Sequence, residues 1–243
     1  MRTWGITDTG LVREENQDAY AIRIAEPFTV AVVCDGMGGT TGGRMASSIA
    51  VEVYLRQMEL GLPGASNAEQ ISRLSREAIS LANDRIRETA FSTPGYERMG
   101  TTLVSAIAGD DSALISNIGD SRAYLINRDG ITQISRDHSV VENMVERGDL
   151  TPLAARRHPK RNLITRALGP DPAVSPDTFP VEWAQGDFIL LCSDGLVNTM
   201  SDQEILFEVI HGGEPDDCLE RLLALSKLRG APDNVTAVLM MNI

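Results

Sequence analysis

Residues 28–34 form an uncharged, β-branched run that stops at Asp35 and is followed at once by Gly36, Gly38 and Gly39. Such a run reads as a buried strand, and the glycines let the backbone turn tightly or approach whatever the carboxylate holds. The pattern recurs. Residues 113–118 run into Gly119-Asp120, residues 188–193 run into Asp194-Gly195, and Asp233-Asn234 precedes an apolar run over 235–241. One Asp-Gly after a strand is an ordinary turn. Four carboxylates at strand ends suit a hard divalent cation, because Mg²⁺ and Mn²⁺ take oxygen ligands.

The runs between 103 and 134 are short strands separated by Gly109-Asp110-Asp111 and Asn127-Arg128-Asp129-Gly130, a meander that predicts antiparallel sheet. An opening strand, a polar loop and a second strand occupy residues 1–26. Two longer amphipathic segments predict helices. The first covers 44–58, with Met45, Ile49 and Val53 on one face and Ala46, Ala50 and Tyr54 beside them. The second opens at a capping pattern, Ser66 with Glu69, and places Ile71, Leu74, Ala78, Leu81 and Ala82 on a shared face. Shorter helices are predicted over 139–147, from Thr151-Pro152, over 201–210 with the capping pair Ser201 and Glu204, and over 215–229, and residues 169–180 read as proline-rich and irregular. No linker, repeat or low-complexity tail divides the 243 residues, so one domain spanning 1–243 is expected.

Charge and cysteines narrow the function. A formal net charge of −12 argues against nucleic acid or an anionic membrane as partner. No stretch approaches the ~18 apolar residues of a membrane span, and no leader-like apolar segment opens the chain; a cytoplasmic protein is expected. Cys34, Cys192 and Cys218 are too few for a disulfide framework, and none is followed six residues on by the arginine that a cysteine-nucleophile phosphatase needs. Three histidines do not make an imidazole-rich zinc site. Gly38 and Gly43 have P-loop spacing, but Arg44-Met45 follow where Lys and a hydroxyl are required. No Gly-x-Ser-x-Gly elbow is present. The one dense basic patch, Arg156-Arg157-His158-Pro159-Lys160-Arg161, reads as a solvated segment or as a substrate-facing flap.

Eight short motifs occur in a fixed order: Arg13-Glu14-Glu15-Asn16-Gln17-Asp18, Asp35-Gly36-Met37-Gly38-Gly39, Met99-Gly100-Thr101-Thr102, Gly119-Asp120-Ser121-Arg122, Asp137-His138-Ser139, Asn162-Leu163-Ile164-Thr165, Ser193-Asp194-Gly195-Leu196 and Asp233-Asn234-Val235-Thr236. The set resembles the metal-dependent serine/threonine protein phosphatases, the PPM or type 2C family, in its compact bacterial form. The resemblance implies an α+β fold, a four-layer α-β-β-α sandwich of two antiparallel sheets packed face to face and flanked by helices, with a flap subdomain around 138–170. It implies two Mg²⁺ or Mn²⁺ ions. Asp35 would bridge them, Asp194 and Asp233 would ligate one, and the Gly36 carbonyl the other. Asp18 would orient water around the ions, Asp120 with Asp194 would match a third, looser site, and Arg13 would clamp phosphate. Arg156, Arg157, His158, Lys160 and Arg161 would face substrate. The implied reaction is hydrolysis of phosphoserine and phosphothreonine by a hydroxide held between the ions, without a phosphoenzyme, by a monomer that opposes a serine/threonine kinase of the same bacterium. A binding module that has lost catalysis and a hydrolase of small phosphate esters are the alternatives. Three positions depart from the family pattern. Met37 and Thr40 stand where histidine is usual, and Arg44 where an acidic residue is common.

Overall fold

The computed structural model describes residues 1–65 and 67–243, with the side chains of Thr40 and Thr41 left out. Ser66 as a helix cap and the Thr40 side chain in the usual histidine place therefore lie outside the described residues. In chain order the elements are β1 (Arg2–Asp8), β2 (Asp18–Ala25), β3 (Phe28–Met37), α1 (Gly39–Gly61), α2 (Ala68–Ser92), β4 (Gly100–Thr101), β5 (Leu103–Ala108), β6 (Ser112–Ile118), β7 (Arg122–Asn127), β8 (Gly130–Gln133), α3 (Val140–Glu146), α4 (Pro152–Ala155), β9 (Asp177–Glu182), β10 (Phe188–Cys192), α5 (Asp194–Val197), α6 (Asp202–His211), α7 (Cys218–Leu228) and β11 (Val235–Met241).

The strands form two antiparallel sheets. One has the order β1-β11-β10-β7-β8, the other β2-β3-β5-β6-β9, with β4 paired to β3. Hydrophobic clusters mark the layers. Tyr54, Met58, Ile79 and Ile86 of α1 and α2 pack on Val32 and Leu103 of the second sheet. Val33, Val104, Ile115, Leu191 and Val238 fill the space between the sheets. Leu219 and Leu222 of α7 cover Tyr124, Leu190 and Leu239 of the first sheet. These layers are the α-β-β-α sandwich expected. Strand β3 explains its own sequence: Val30, Val32 and Cys34 face the helices while Ala31 and Val33 face the other sheet, so both faces are apolar.

Several local expectations change. Strand β3 does not end at Asp35 but runs to Met37, because Gly36 and Met37 pair with Thr101 and Gly100 of β4. Helix α1 begins five residues early, immediately after Gly38, whose φ of +126° suits only glycine. Its buried stripe is Ala46, Ala50 and Tyr54, whereas Met45 is exposed. Small residues let α1 lie close against the sheet and α2. In α2 the cap is Asn67, which accepts from the Gln70 N–H, and Leu81 points outward while Ile79 and Ile86 face the core. The proline-rich stretch conceals β9. It is an edge strand, where Pro180 forfeits no ladder bond that the sheet needs. Residues 201–210 open with the predicted Ser201–Glu204 capping box. No described helix is long and apolar enough to cross a membrane.

Candidate active site

Side-chain alternation along β3 sends Asp35 to the same face as Ala31 and Val33, the face between the sheets. Asp18 is its cross-strand partner on β2. The two carboxyls thus meet at one end of the sandwich. The other sheet delivers Ser193 there, at the end of β10, and its hydroxyl donates to Asp18 Oδ2 at 2.7 Å. Asp194 opens α5 in the next position, and Asp233 arrives on the chain entering β11.

Glycines permit this convergence at two close approaches. A Cβ on Gly195 would lie 1.9 Å from the Asn234 carbonyl oxygen, and one on Gly36 would lie 2.1 Å from the Gly43 carbonyl oxygen. Gly36 therefore serves not a turn but the contact between β3 and the start of α1.

The Met99-Gly100-Thr101-Thr102 motif holds the Asp35 backbone. The Asp35 N–H donates to Thr102 Oγ1 at 2.9 Å, and its carbonyl accepts from the Thr102 N–H and the Thr101 hydroxyl, each at 2.9 Å. Asn234 holds the loop that carries Arg13: its Nδ2 donates to the Thr9 and Glu15 carbonyls and its Oδ1 accepts from the Gln17 N–H. Asn198, one helical turn after Asp194, donates to Asp194 Oδ2 at 3.0 Å. The sequence alone assigns no role to Thr102, Asn198 or Asn234. Thr102 and Asn234 sat inside motifs, and Asn198 stands at i+4 from an aspartate, the spacing of neighbours on one helix face.

Asp35, Asp120, Asp194, Asp233, Gly36 and Arg13 all line one cleft of about 790 Å³. Its electrostatics are one-sided. Burial first, and then the charges of Asp18, Asp194, Asp120 and Asp233, drive the Asp35 carboxyl well above the usual carboxylate range. Burial and its acidic neighbours push Asp120 up to about 8, and Asp18 up to about 6 despite bonds from Thr236 and Ser193. Asp194 is raised too, by burial and by Asp233. The one cation paired with this group among the described residues is Arg13, whose Nη2 donates to Asp233 Oδ2 at 2.7 Å.

The donor set fits a hard divalent cation. It is all oxygen, and Asp18 Oδ1 and Asp194 Oδ1 are buried with no hydrogen-bond partner, a costly state for carboxylate oxygens unless a further positive charge is present. Among the described residues no three such side chains close tightly enough to grip an ion as they stand.

The residues of the basic segment divide. Arg156 and Arg161 line a second cavity of about 570 Å³ that shares Asp120 and Asp194 with the cleft, and Arg156 Nη2 lies 3.4 Å from Asp202 Oδ2. Arg157, His158 and Lys160 line neither cavity. Arg44 pairs with Glu15 at 3.6 Å, linking α1 to the Arg13 loop. The three cysteines are buried and free, and burial pushes the Cys192 thiol up to about 12.

Comparison with known proteins identifies the family. A family model described as Protein phosphatase 2C matches residues 12–212. The serine/threonine phosphatase stp of Listeria innocua is 33% identical over 236 residues, 96% of this chain and 93% of that protein. PstP of Mycobacterium tuberculosis, a serine/threonine protein phosphatase, is 35% identical over 232 residues, 96% of this chain and 43% of that protein. The crystal structure of serine/threonine phosphatase Stp1 from Staphylococcus aureus superposes with a TM-score of 0.92 at 36% identity, covering 98% of this chain and 94% of that one. On a family match across most of its length and relatives of this identity, the chain belongs to the protein phosphatase 2C family.

Proposed function

We propose that the protein is a metal-dependent serine/threonine phosphatase acting on phosphoproteins, and that its chemistry is carried by Asp35, Asp194, Asp233 and Arg13. The observation that supports this reading most directly is the meeting of four aspartates and one arginine on a single cleft. Asp35, the Gly36 carbonyl, Asp194 and Asp233 would hold two Mg²⁺ or Mn²⁺ ions, and Asp120 with Asp194 a third. When bound, such ions lower the pKa of water towards neutrality and offset the charge of the phosphate group.

The chain's own groups do the rest. Thr101 and Thr102 fix the Asp35 backbone, and Asn198 fixes one oxygen of Asp194, leaving the other free for a ligand. Ser193 occupies one oxygen of Asp18, so that Oδ1 is left to accept from a water. Arg13 offers a planar fork of donors that suits two phosphate oxygens, which lysine does not match. The buried thiols offer no nucleophile, consistent with direct in-line attack by water and no phosphoenzyme. Met37 adds no proton donor at the place where histidine is usual, so leaving-group protonation falls to water. The physiological role that follows is reversal of a serine/threonine kinase of the same cell, with Arg156 and Arg161 beside the chain that flanks the phosphorylated residue.

The test is dephosphorylation of a phosphothreonine peptide with Mn²⁺, with excess chelator, and after Asp35→Asn. Loss of about a thousandfold or more is expected in the last two, the scale of several kcal/mol of charge stabilisation. Turnover that survives chelation sinks the reading. Arg156→Glu and Arg161→Glu test the flap. Preference among acidic and basic peptides should shift while the Mn²⁺ requirement stays, and an unchanged preference removes these residues from recognition.

A further inference from the structure

Asp137, His138 and Ser139 are consecutive, and each secures a different part of the site. Asp137 receives three donations from the Arg122 guanidinium, at 3.0, 3.1 and 2.7 Å. Ser139 caps α3 by accepting from the Glu142 N–H. His138 lies between them, 5% exposed, with every polar group engaged. Its N–H donates to the Gly119 carbonyl at 2.9 Å, and the Gly119 N–H donates back to its Nδ1 at 3.1 Å. Its carbonyl accepts from the Thr165 N–H at 2.7 Å. Because Nδ1 accepts, the ring proton sits on Nε2, which faces Asp177 Oδ2 at 3.1 Å. Arg166 Nη1 is 3.3 Å from Nε2 and finds its acceptor in Asp177 Oδ1 at 3.0 Å.

Gly119 is the residue immediately before Asp120. Its φ is +104°, and a Cβ there would lie 2.5 Å from Thr102 Cγ2. The turn is therefore pressed against the residue whose hydroxyl accepts from the Asp35 N–H. Glycine has no side chain of its own to anchor this backbone, so its position depends on what its peptide groups bond. Those partners are His138 at both groups and Asn117 Nδ2 at the carbonyl, 3.3 Å away.

We infer that His138 is a positioning residue for Asp120. The two bonds to Gly119 set where the Asp120 carboxyl enters the cleft, and the bond to Thr165 ties that placement to the segment returning from the flap. The inference rests on the reading of Asp120 as a cation ligand and extends it to the group that aims it.

Two isosteres separate this role from packing. Asn places an amide oxygen where Nδ1 lies, and Gln places its amide where Nε2 lies. His138→Asn thus keeps the acceptor for the Gly119 N–H, while His138→Gln keeps the contact with Asp177 and loses that acceptor. The measurements are hydrogen exchange of the Gly119 amide in ¹⁵N-labelled protein and calorimetric titration with Mn²⁺ alone. For His138→Gln we expect Gly119 exchange about tenfold faster and the weakest Mn²⁺ event weakened about tenfold or more, the usual cost of removing a group that orients a metal ligand. For His138→Asn both should stay within about threefold of the native protein. Equal losses in the two variants, or native Gly119 exchange in His138→Gln, overturn the proposal. Asp120→Asn isolates the reading beneath it. If that variant binds Mn²⁺ as the native protein does, Asp120 is not a ligand, and Gly119 exchange alone then decides whether His138 holds the turn.

Discussion

Arg13 Nη2 donates to Asp233 Oδ2 at 2.7 Å, so the group proposed to grip phosphate is held by a carboxylate proposed to grip a cation. The pairing follows from charge. The Arg13 loop is fastened by Asn234, the neighbour of Asp233, which places a cation beside an otherwise acidic cleft. Arg13 is half-exposed, at 55% of its side chain, so the bond is screened and weak enough to exchange for another partner.

Arg13→Ala should lower kcat/KM on a phosphothreonine peptide by about 10- to 100-fold, the loss of charge-assisted bonds to phosphate. It should also tighten Mn²⁺ binding, since the cation no longer competes with guanidinium for Asp233. Steady-state kinetics and a Mn²⁺ titration check both parts, and a variant with native values in both would contradict the assignment.

The carboxyls of the cleft predict how stability depends on pH. Their folded-state values are raised, to about 6 for Asp18 and about 8 for Asp120, from an ordinary value of 3.8. Between those limits the native state holds protons that the unfolded chain has released. Such a contribution is fully present below pH 4 and is lost as pH rises through the folded value. His138 acts in the opposite sense. Burial lowers its imidazole from 6.5, so its contribution is lost as pH falls, and it is complete above that value. The clean window is therefore pH 6.5 to 8.5. There the melting temperature of metal-free protein should fall by several degrees, and the gain on adding Mn²⁺ should grow with pH. Thermal unfolding in chelator and in Mn²⁺ measures it, and a metal-free melting temperature that rises across this window would refute the assignment.

Gly195→Ala should cost about 3 kcal/mol, because its Cβ would lie 1.9 Å from the Asn234 carbonyl oxygen, a backbone atom fixed by β11. Separation of Asp194 from Asp233 should accompany the loss, seen as weaker Mn²⁺ binding. Gly64→Ala is the control, with nothing within 4 Å of the added atom and an expected change within about 0.5 kcal/mol. Urea unfolding of the two variants gives the comparison, and equal costs would remove the packing explanation.

Much of the layer plan is written in local pattern. The meander over 103–134, the continuous apolar run of β3 and the Ser201–Glu204 cap are short-range signals, and the corresponding elements form there, with β3 running on to Met37. The strand β9 was hidden because Pro180 argues against a strand unless its edge position is known, and edge position is a property of the whole sheet. The buried stripe of α1 passed for Met45 rather than Ala46 because hydrophobicity ranks the larger residue first, whereas the packing distance between helix and sheet selects the smaller.

By itself the sequence determined that acidic residues end or begin apolar runs beside glycines, that their order resembles one phosphatase family, and that an arginine and a basic segment accompany them. Only the tertiary structure decided that Arg13 rests on Asp233, that Thr102 fixes the Asp35 backbone, and that His138 clasps the turn before Asp120. The physical reason is range. Strand and cap patterns act over a few residues, whereas these partners are brought together across the sequence by burial of the two sheets, and no local spacing encodes their directions.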